Sequence, residues 1–129
     1  MTTAMVGYWV ATTLVAVAFL VPGVGNLVHT PQIAHDMAHL GYPSYFLTVL
    51  GCWKILGAIT ITIPRLPRLK EWAYAGAFFN MTGAAASHFF ANDYGPYAWH
   101  VIINLVFAGV VIASWALRPQ SRTLGDLLK

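Results

Sequence analysis

The sequence has 129 residues, of which 58% are hydrophobic and only 9% carry a formal charge. A soluble domain has about 25% charged residues, so this chain has too few charges to cover a surface that faces water. Its length suits a single domain over residues 1–129. The net charge of +3 comes with no base-reading motif beside the Lys and Arg clusters, which argues against a nucleic-acid partner.

Four apolar stretches predict four transmembrane helices, at residues 8–27, 44–63, 72–91 and 97–117. Each is close to the roughly 20 residues that cross the hydrocarbon core of a bilayer. The first stretch has the length of a signal peptide, but no Lys or Arg precedes it, and we therefore expect an uncleaved helix. The predicted fold class is all-α, an integral membrane four-helix bundle in contact with the lipid bilayer.

The loop between the first two spans predicts a short amphipathic helix on the outer membrane surface. Thr30 is the expected N-cap, Pro31 the first helical residue, and Gly41 follows the last turn. His35 and His39 have the i, i+4 spacing that can hold one metal ion, which makes them a candidate metal pair.

The positions of the cations predict the orientation of the chain. Six of the seven Lys and Arg residues lie in the loop between the second and third spans and in the C-terminal tail: Arg65, Arg68, Lys70, Arg118, Arg122 and Lys129. The loops at residues 28–43 and 92–96 contain no Lys or Arg. Cytoplasmic loops are enriched in these residues, so we expect a cell inner membrane protein with both termini in the cytoplasm and a solvated tail.

Lys54 lies near the middle of the second span. A charged Lys at the bilayer centre costs about 2.5–3.5 kcal/mol on insertion scales, so it must face the bundle interior, find a partner or lose its proton. We interpret it as a candidate catalytic residue or ligand anchor; alternatively, helix carbonyls and Asn side chains satisfy it. Cys52 is the single cysteine, which excludes an internal disulfide, and we expect it to be buried.

Other polar residues in the spans are candidate functional residues. At 100° per residue, Asn80 and Ser87 share one face of the third span, and His100 and Asn104 share a face of the fourth. If these faces converge, they line a polar funnel that opens outward. The expected ligand-binding residues are Asn26, Asn80, Ser87 and Asn104. The alternative is hydrogen bonding between helices without a ligand.

His88 and His100 flank the third loop and are the remaining candidate catalytic residues. Facing imidazoles can relay protons, or hold a metal ion or haem. Covalently attached haem is excluded, because the chain has no Cys-x-x-Cys-His motif.

Several runs of residues resemble the DoxX-like family of small membrane proteins, and the resemblance extends over residues 8–118. It is carried by residues 40–46 (LGYPSYF), 51–58 (GCWKILGA), 64–76 (PRLPRLKEWAYAG) and 82–88 (TGAAASH). The resemblance implies a four-helix membrane fold, and some relatives are linked to quinone-coupled sulfur oxidation or oxidative-stress complexes. Members often have a Lys at the end of the first span, where this chain has Asn26.

Three functions remain open from the sequence. The first is a redox-linked subunit that binds a quinone, with His88 and His100 passing protons and a redox partner protein or a haem supplying electrons. The second is a stand-alone isomerase or cyclase that acts on a lipophilic substrate, with Lys54 as base or electrophile and a histidine as acid. The third is a non-catalytic assembly subunit of a homo-oligomer or larger complex.

Overall fold

The computed structural model describes residues 2–92 and 98–123. Its helices are α1 (Thr3–Leu27), α2 (Pro31–His39), α3 (Tyr45–Thr62), α4 (Pro67–Phe90) and α5 (Trp99–Ala116), followed by a short 3₁₀ helix (Gln120–Arg122). The four long helices coincide with the four predicted spans, which confirms the all-α bundle. Residue 97 of the last predicted span and Lys129 of the tail lie outside the described residues.

The four long helices form a ring in the order α1, α3, α4, α5. Each helix contacts its two ring neighbours; the α1–α3 interface is the most extensive and the α3–α4 interface the least. Apolar side chains fill the centre: Val15, Phe19, Ala58, Ile61, Tyr74, Ala77, Met81, Ala108 and Val111. The core therefore lies on the axis of the ring, and the α3–α4 side is its most open wall.

The outward faces of the long helices are also apolar, as expected of a protein surrounded by lipid. By length and composition, α1, α3 and α5 can each cross a bilayer. With 24 residues α4 is also long enough, but it is less apolar than the other three. The chain is an integral membrane protein. Cys52 lies on an outward face and is exposed, so the prediction that it is buried was wrong.

Two glycines set the close contact between α1 and α3. A Cβ atom at Gly51 would lie 2.8 Å from the carbonyl oxygen of Gly23 and 2.8 Å from Cγ of Leu27. At Gly23, a Cβ atom would lie 3.1 Å from Cβ of Lys54. Small residues let helix backbones approach in membranes, and here that approach places Lys54 directly against α1.

The short helix α2 begins at Pro31 and is followed by Gly41, whose φ of +84° ends it, as predicted. Thr30 stands at the N-cap position, but its side chain makes no capping hydrogen bond. Its hydroxyl instead donates to the carbonyl oxygen of Gly25 at 2.8 Å, which also accepts the backbone N–H of Thr30 at 3.1 Å, because the last carbonyls of α1 lack partners within the helix.

We expect Gly51→Ala to lower the free energy of unfolding by roughly 1–3 kcal/mol, because the new methyl group meets backbone atoms that cannot rotate away. Gly57→Ala in the same helix is the matched control, since a Cβ atom there has nothing within 4 Å. That control should be neutral or slightly stabilising. Unfolding in detergent with added denaturant measures both; equal stability of the two variants would contradict the close approach.

Candidate functional site

The structure brings together Lys54 and Asn26, two of the residues predicted for the site. The Lys54 amine donates a hydrogen bond to Oδ1 of Asn26 at 3.3 Å. Side chains on a helix lean toward its N-terminus, and the N-terminal end of α3 is the end at which α1 finishes with Asn26. Asn26 is only 1% exposed, and its Nδ2 group is buried with no hydrogen-bond partner within residues 2–92 and 98–123.

A cavity of about 670 Å³ lies between α3 and α4 and is lined in part by Lys54. Asn80 on the facing helix lines the same cavity, and Phe19 of α1 contributes to its lining. Most of the lining is apolar. Small-molecule sites typically have volumes of about 300–1,000 Å³ and apolar walls with a few polar groups, so both the size and the chemistry suit a lipophilic ligand.

The direction of this cavity differs from the predicted outward funnel. Its lining runs from Lys54 and Asn80, near the middle of the bundle, to Thr60 and Leu69. It therefore extends toward the end of the bundle that bears Arg65, Arg68, Lys70, Arg118 and Arg122, which we call the basic end. It opens sideways between α3 and α4, where Trp53 and Trp72 are 69% and 74% exposed.

The rotation of α4 explains the difference. The buried stripe of α4 above Lys70 consists of Tyr74, Ala77, Met81, Ala85 and His88, so these residues face the bundle axis. Asn80 and Ser87 lie to one side of that stripe and are only half-buried. The polar face predicted to point into the bundle is therefore turned toward the α3–α4 gap.

At the opposite end of the bundle, the rings of His88 and His100 stack with their centroids 4.5 Å apart and an interplanar angle of 16°. Trp99 also stacks on His100, at 3.8 Å between centroids. The structure thus places the two histidines face to face. Neither is part of the lining of the cavity around Lys54, and their roles in proton transfer or haem binding stay predictions.

Ser87 and Asn104 bond largely within their own helices. Ser87 donates to the carbonyl oxygen of Gly83 at 2.8 Å, and its hydroxyl lies 2.7 Å from that of Tyr42. Asn104 donates to the carbonyl oxygen of His100 at 2.6 Å. Neither lines the cavity. These hydrogen bonds go to backbone carbonyls of the same helix and, for Ser87, to Tyr42. A ligand-binding role for either residue stays a prediction.

The candidate metal pair lies on the exposed side of α2. His35 and His39 are both exposed, and Nδ1 of His35 is 3.8 Å from Oδ1 of Asp36. Within the described part of the chain, no three His, Cys, Asp or Glu side chains gather as a metal site would require. Metal binding by the pair stays a prediction.

The sequence profile of the DoxX-like family matches residues 10–114, a segment that includes most of all four long helices. The chain belongs to the DoxX-like family. Neither the curated proteins nor the solved structures include a match.

At the basic end of this DoxX-like protein, a buried lysine binds backbone carbonyls, and sequence analysis did not predict its burial. Lys70 is 0% exposed. Its amine donates to the carbonyl oxygens of Thr60, at 2.5 Å, and of Ile63. Arg122 donates to the carbonyl oxygen of Thr62 at 3.0 Å. The last carbonyls of a helix lack hydrogen-bond partners within it. Here the side chains of two cations, Lys70 and Arg122, donate to them. The predicted solvated tail is wrong for Arg122.

Arg118 and Glu71 form an ion pair beside these cations. Nη2 of Arg118 lies 2.6 Å from Oε1 of Glu71, and the indole of Trp115 donates to Oε2 at 3.0 Å. Burial opposes ionisation of Glu71, but the hydrogen bonds from Trp115 and Arg118 and the charge of Arg118 lower its pKa overall. The carboxylate of Glu71 is thus already paired.

A buried set of hydroxyl groups joins three helices just above the basic end. The hydroxyl of Ser114 lies 2.7 Å from that of Thr12 and 2.8 Å from that of Tyr74. All three side chains are almost fully buried. Buried hydroxyls need partners, and this contact selects which face of α4 turns inward. No sequence pattern predicts this contact beyond the presence of three hydroxyl-bearing residues in apolar helices.

Stability should increase with pH because of Lys70. Burial, with the positive charges of Arg122 and Arg118, lowers the pKa of Lys70 from 10.5 to about 8. Between these values the unfolded chain binds more protons than the folded chain, so the free energy of unfolding rises with pH across this window. Denaturant titrations at several pH values should show this rise for the wild type and not for Lys70→Met.

Arg68→Met is the control for that experiment, because Arg68 is an exposed cation two residues away. It should retain the pH-dependent rise. If the wild type and Lys70→Met showed parallel pH profiles, Lys70 would titrate like an ordinary surface lysine, in conflict with its burial.

Proposed function

We propose that this chain binds a lipophilic small molecule in the cavity between α3 and α4, with Lys54 holding the polar group of the ligand. The single observation that carries the proposal is a lysine halfway along an apolar helix that lines an apolar cavity and whose amine makes one hydrogen bond to the described residues, to Asn26. An ammonium group has three N–H donors, so two of them remain for a ligand.

The cost of the polar groups supports this proposal. Intramembrane ionisable residues are expensive, and those that are retained commonly serve a function. A Lys that only joined two helices would need no cavity beside it. Here Lys54 and Asn80 line the same cavity from facing helices. We therefore interpret the pair as the polar end of an otherwise apolar binding site.

The sideways opening supports entry from the bilayer. Trp53 and Trp72 flank the gap between α3 and α4 and face outward. A lipophilic molecule dissolved in the membrane can reach the cavity without crossing water. By the positive-inside rule, the basic end lies in the cytoplasm of a cell whose inner membrane holds the protein, and both termini lie on that side.

The donors at this site suit a carbonyl oxygen, which a quinone ligand offers. In that case a redox partner protein exchanges electrons with the bound quinone. In the alternative activity, an isomerase or cyclase, a neutral Lys54 amine acts as the base. Both activities require a ligand at Lys54, and ligand binding is therefore the step to test first. Assembly into a homo-oligomer is compatible with either activity.

Filling the cavity should weaken binding. A Cβ atom at Gly76 has nothing within 4 Å, and Gly76 lines the cavity, so Gly76→Leu should fold normally and occupy the ligand's space. Gly83→Leu is the matched control, since Gly83 lies on the same helix with equally open surroundings and is not part of the lining.

The probes are decylubiquinone and oleyl alcohol, with binding to protein in nanodiscs measured against empty nanodiscs. We expect wild type and Gly83→Leu to bind at least one probe alike, and Gly76→Leu to bind it about tenfold more weakly, a loss of roughly 1.4 kcal/mol. Lys54→Met should weaken decylubiquinone similarly. Equal binding by wild type and Gly76→Leu would refute the cavity as the site and favour a purely structural Lys54–Asn26 contact.

A further inference from the structure

We propose that the ligand is a lipophilic anion, a molecule with one carboxylate on a long apolar body, and that its carboxylate pairs with Lys54 beside Asn26. This inference rests on the proposed function and adds the class of ligand to it. It comes from the charges, donors and shape of the site.

Within the described part of the chain, Lys54 has no counter-ion. The carboxylates in residues 2–92 and 98–123 are Asp36 and Glu71. Asp36 lies 3.8 Å from a ring nitrogen of His35, and Glu71 is paired with Arg118. The partner of Lys54 is a neutral amide oxygen. An unpaired charge in an apolar medium is unfavourable, and a bound carboxylate would supply the missing charge.

A carboxylic acid also gives an occupied site without net charge, whichever protonation state Lys54 has when the acid arrives. If the Lys54 amine is neutral when the acid arrives, the acid transfers its proton to Nζ, and an ammonium–carboxylate pair forms. If the amine is already protonated, the carboxylate arrives as its counter-ion. In both cases the occupied site has no net charge, whereas a neutral alcohol or ketone leaves the charge of a protonated Lys54 uncompensated.

The amide donors of Asn26 and Asn80 near Lys54 favour a head group with two oxygen atoms; Asn80 lines the cavity, whereas Asn26 is not part of its lining. Nδ2 of Asn26 is buried and has no partner among the residues the structure describes, and Oδ1 of the same amide lies 3.3 Å from the Lys54 amine. A carboxylate has two oxygens with about four lone-pair sites. One oxygen can accept from Lys54 while the other remains for a neighbouring N–H donor. A single carbonyl oxygen offers less.

The depth of Lys54 favours a free acid over a phospholipid. The hydrocarbon core is about 30 Å thick, so lipid phosphates lie roughly 15 Å from its centre. Lys54 is near that centre, halfway along α3. The cavity continues from Lys54 past Gly57 and Ala73 toward the basic end, which leaves apolar room for the body of the ligand. A fatty acid matches this arrangement of head and body.

The test compares oleate with oleyl alcohol, which share a hydrocarbon chain and differ in the head group. Radiolabelled forms of each are titrated against protein in nanodiscs at about pH 7.5, and cavity-specific binding is the part that Gly76→Leu weakens. We expect the wild type to prefer oleate by about tenfold over the alcohol. Lys54→Met should remove this preference, and Lys54→Arg should retain it because the positive charge remains.

Two further variants test the pairing with Lys54 directly. Asn26→Asp places a carboxylate beside Lys54 with almost no change in shape, so it should replace the ligand's carboxylate, weaken oleate by about tenfold and leave the alcohol unchanged. Arg68→Met removes an exposed cation away from the cavity and should keep the wild-type preference. Retained oleate preference in Asn26→Asp would overturn the pairing with Lys54.

The possible outcomes separate this inference from the proposed function. Cavity-specific binding of both probes with equal affinity would overturn the anionic class and leave the lipophilic site in place. If neither the alcohol, decylubiquinone nor oleate bound in a cavity-specific way, both proposals would fail. A preference for oleate that survived Lys54→Met would show that another group recognises the carboxylate, which also overturns the inference.

Discussion

Two glycines allow α1 and α3 to cross with their backbones almost in contact, and the site depends on that crossing. A methyl group at Gly51 would lie 2.8 Å from the carbonyl oxygen of Gly23, so any larger residue would push the helices apart. The same crossing brings the Lys54 amine to Asn26. With α1 and α3 held together on one side, the loosest interface of the ring falls between α3 and α4, where the cavity lies.

The polar residues of the bundle lie at three separate levels along its axis. At the basic end, Lys70 and Arg122 satisfy the last carbonyls of α3. Near the middle, Lys54 and Asn80 line the cavity. At the other end, His88 stacks on His100. The cations that a topology rule counts as cytoplasmic markers therefore also act as helix caps, which ties the orientation of the chain to its folding.

Hydropathy was enough to predict the helices, and the cost of a buried charge predicted that Lys54 needs a polar partner, because both depend on single residues and their depth. The direction of the cavity was not predictable in this way. It depends on how α4 is rotated about its axis, and contacts such as that of Tyr74 with Ser114 decide that rotation. The burial of Lys70 was missed for a similar reason, since its partners are backbone carbonyls of α3 that leave no trace in residue type. Asn26 stands where the family resemblance implies a Lys, and the structure brings an amine to it from α3.

The gap between α3 and α4 faces the hydrocarbon phase, and this changes the concentration that governs occupancy. A molecule that reaches Lys54 from the side equilibrates first with the surrounding leaflet, so its mole fraction among the lipids sets saturation, and its level in water matters only through partition. Under the proposed binding at Lys54, hydrophobic molecules that are scarce in solution would fill the cavity, and a change in membrane composition alone would alter how much of the protein is occupied.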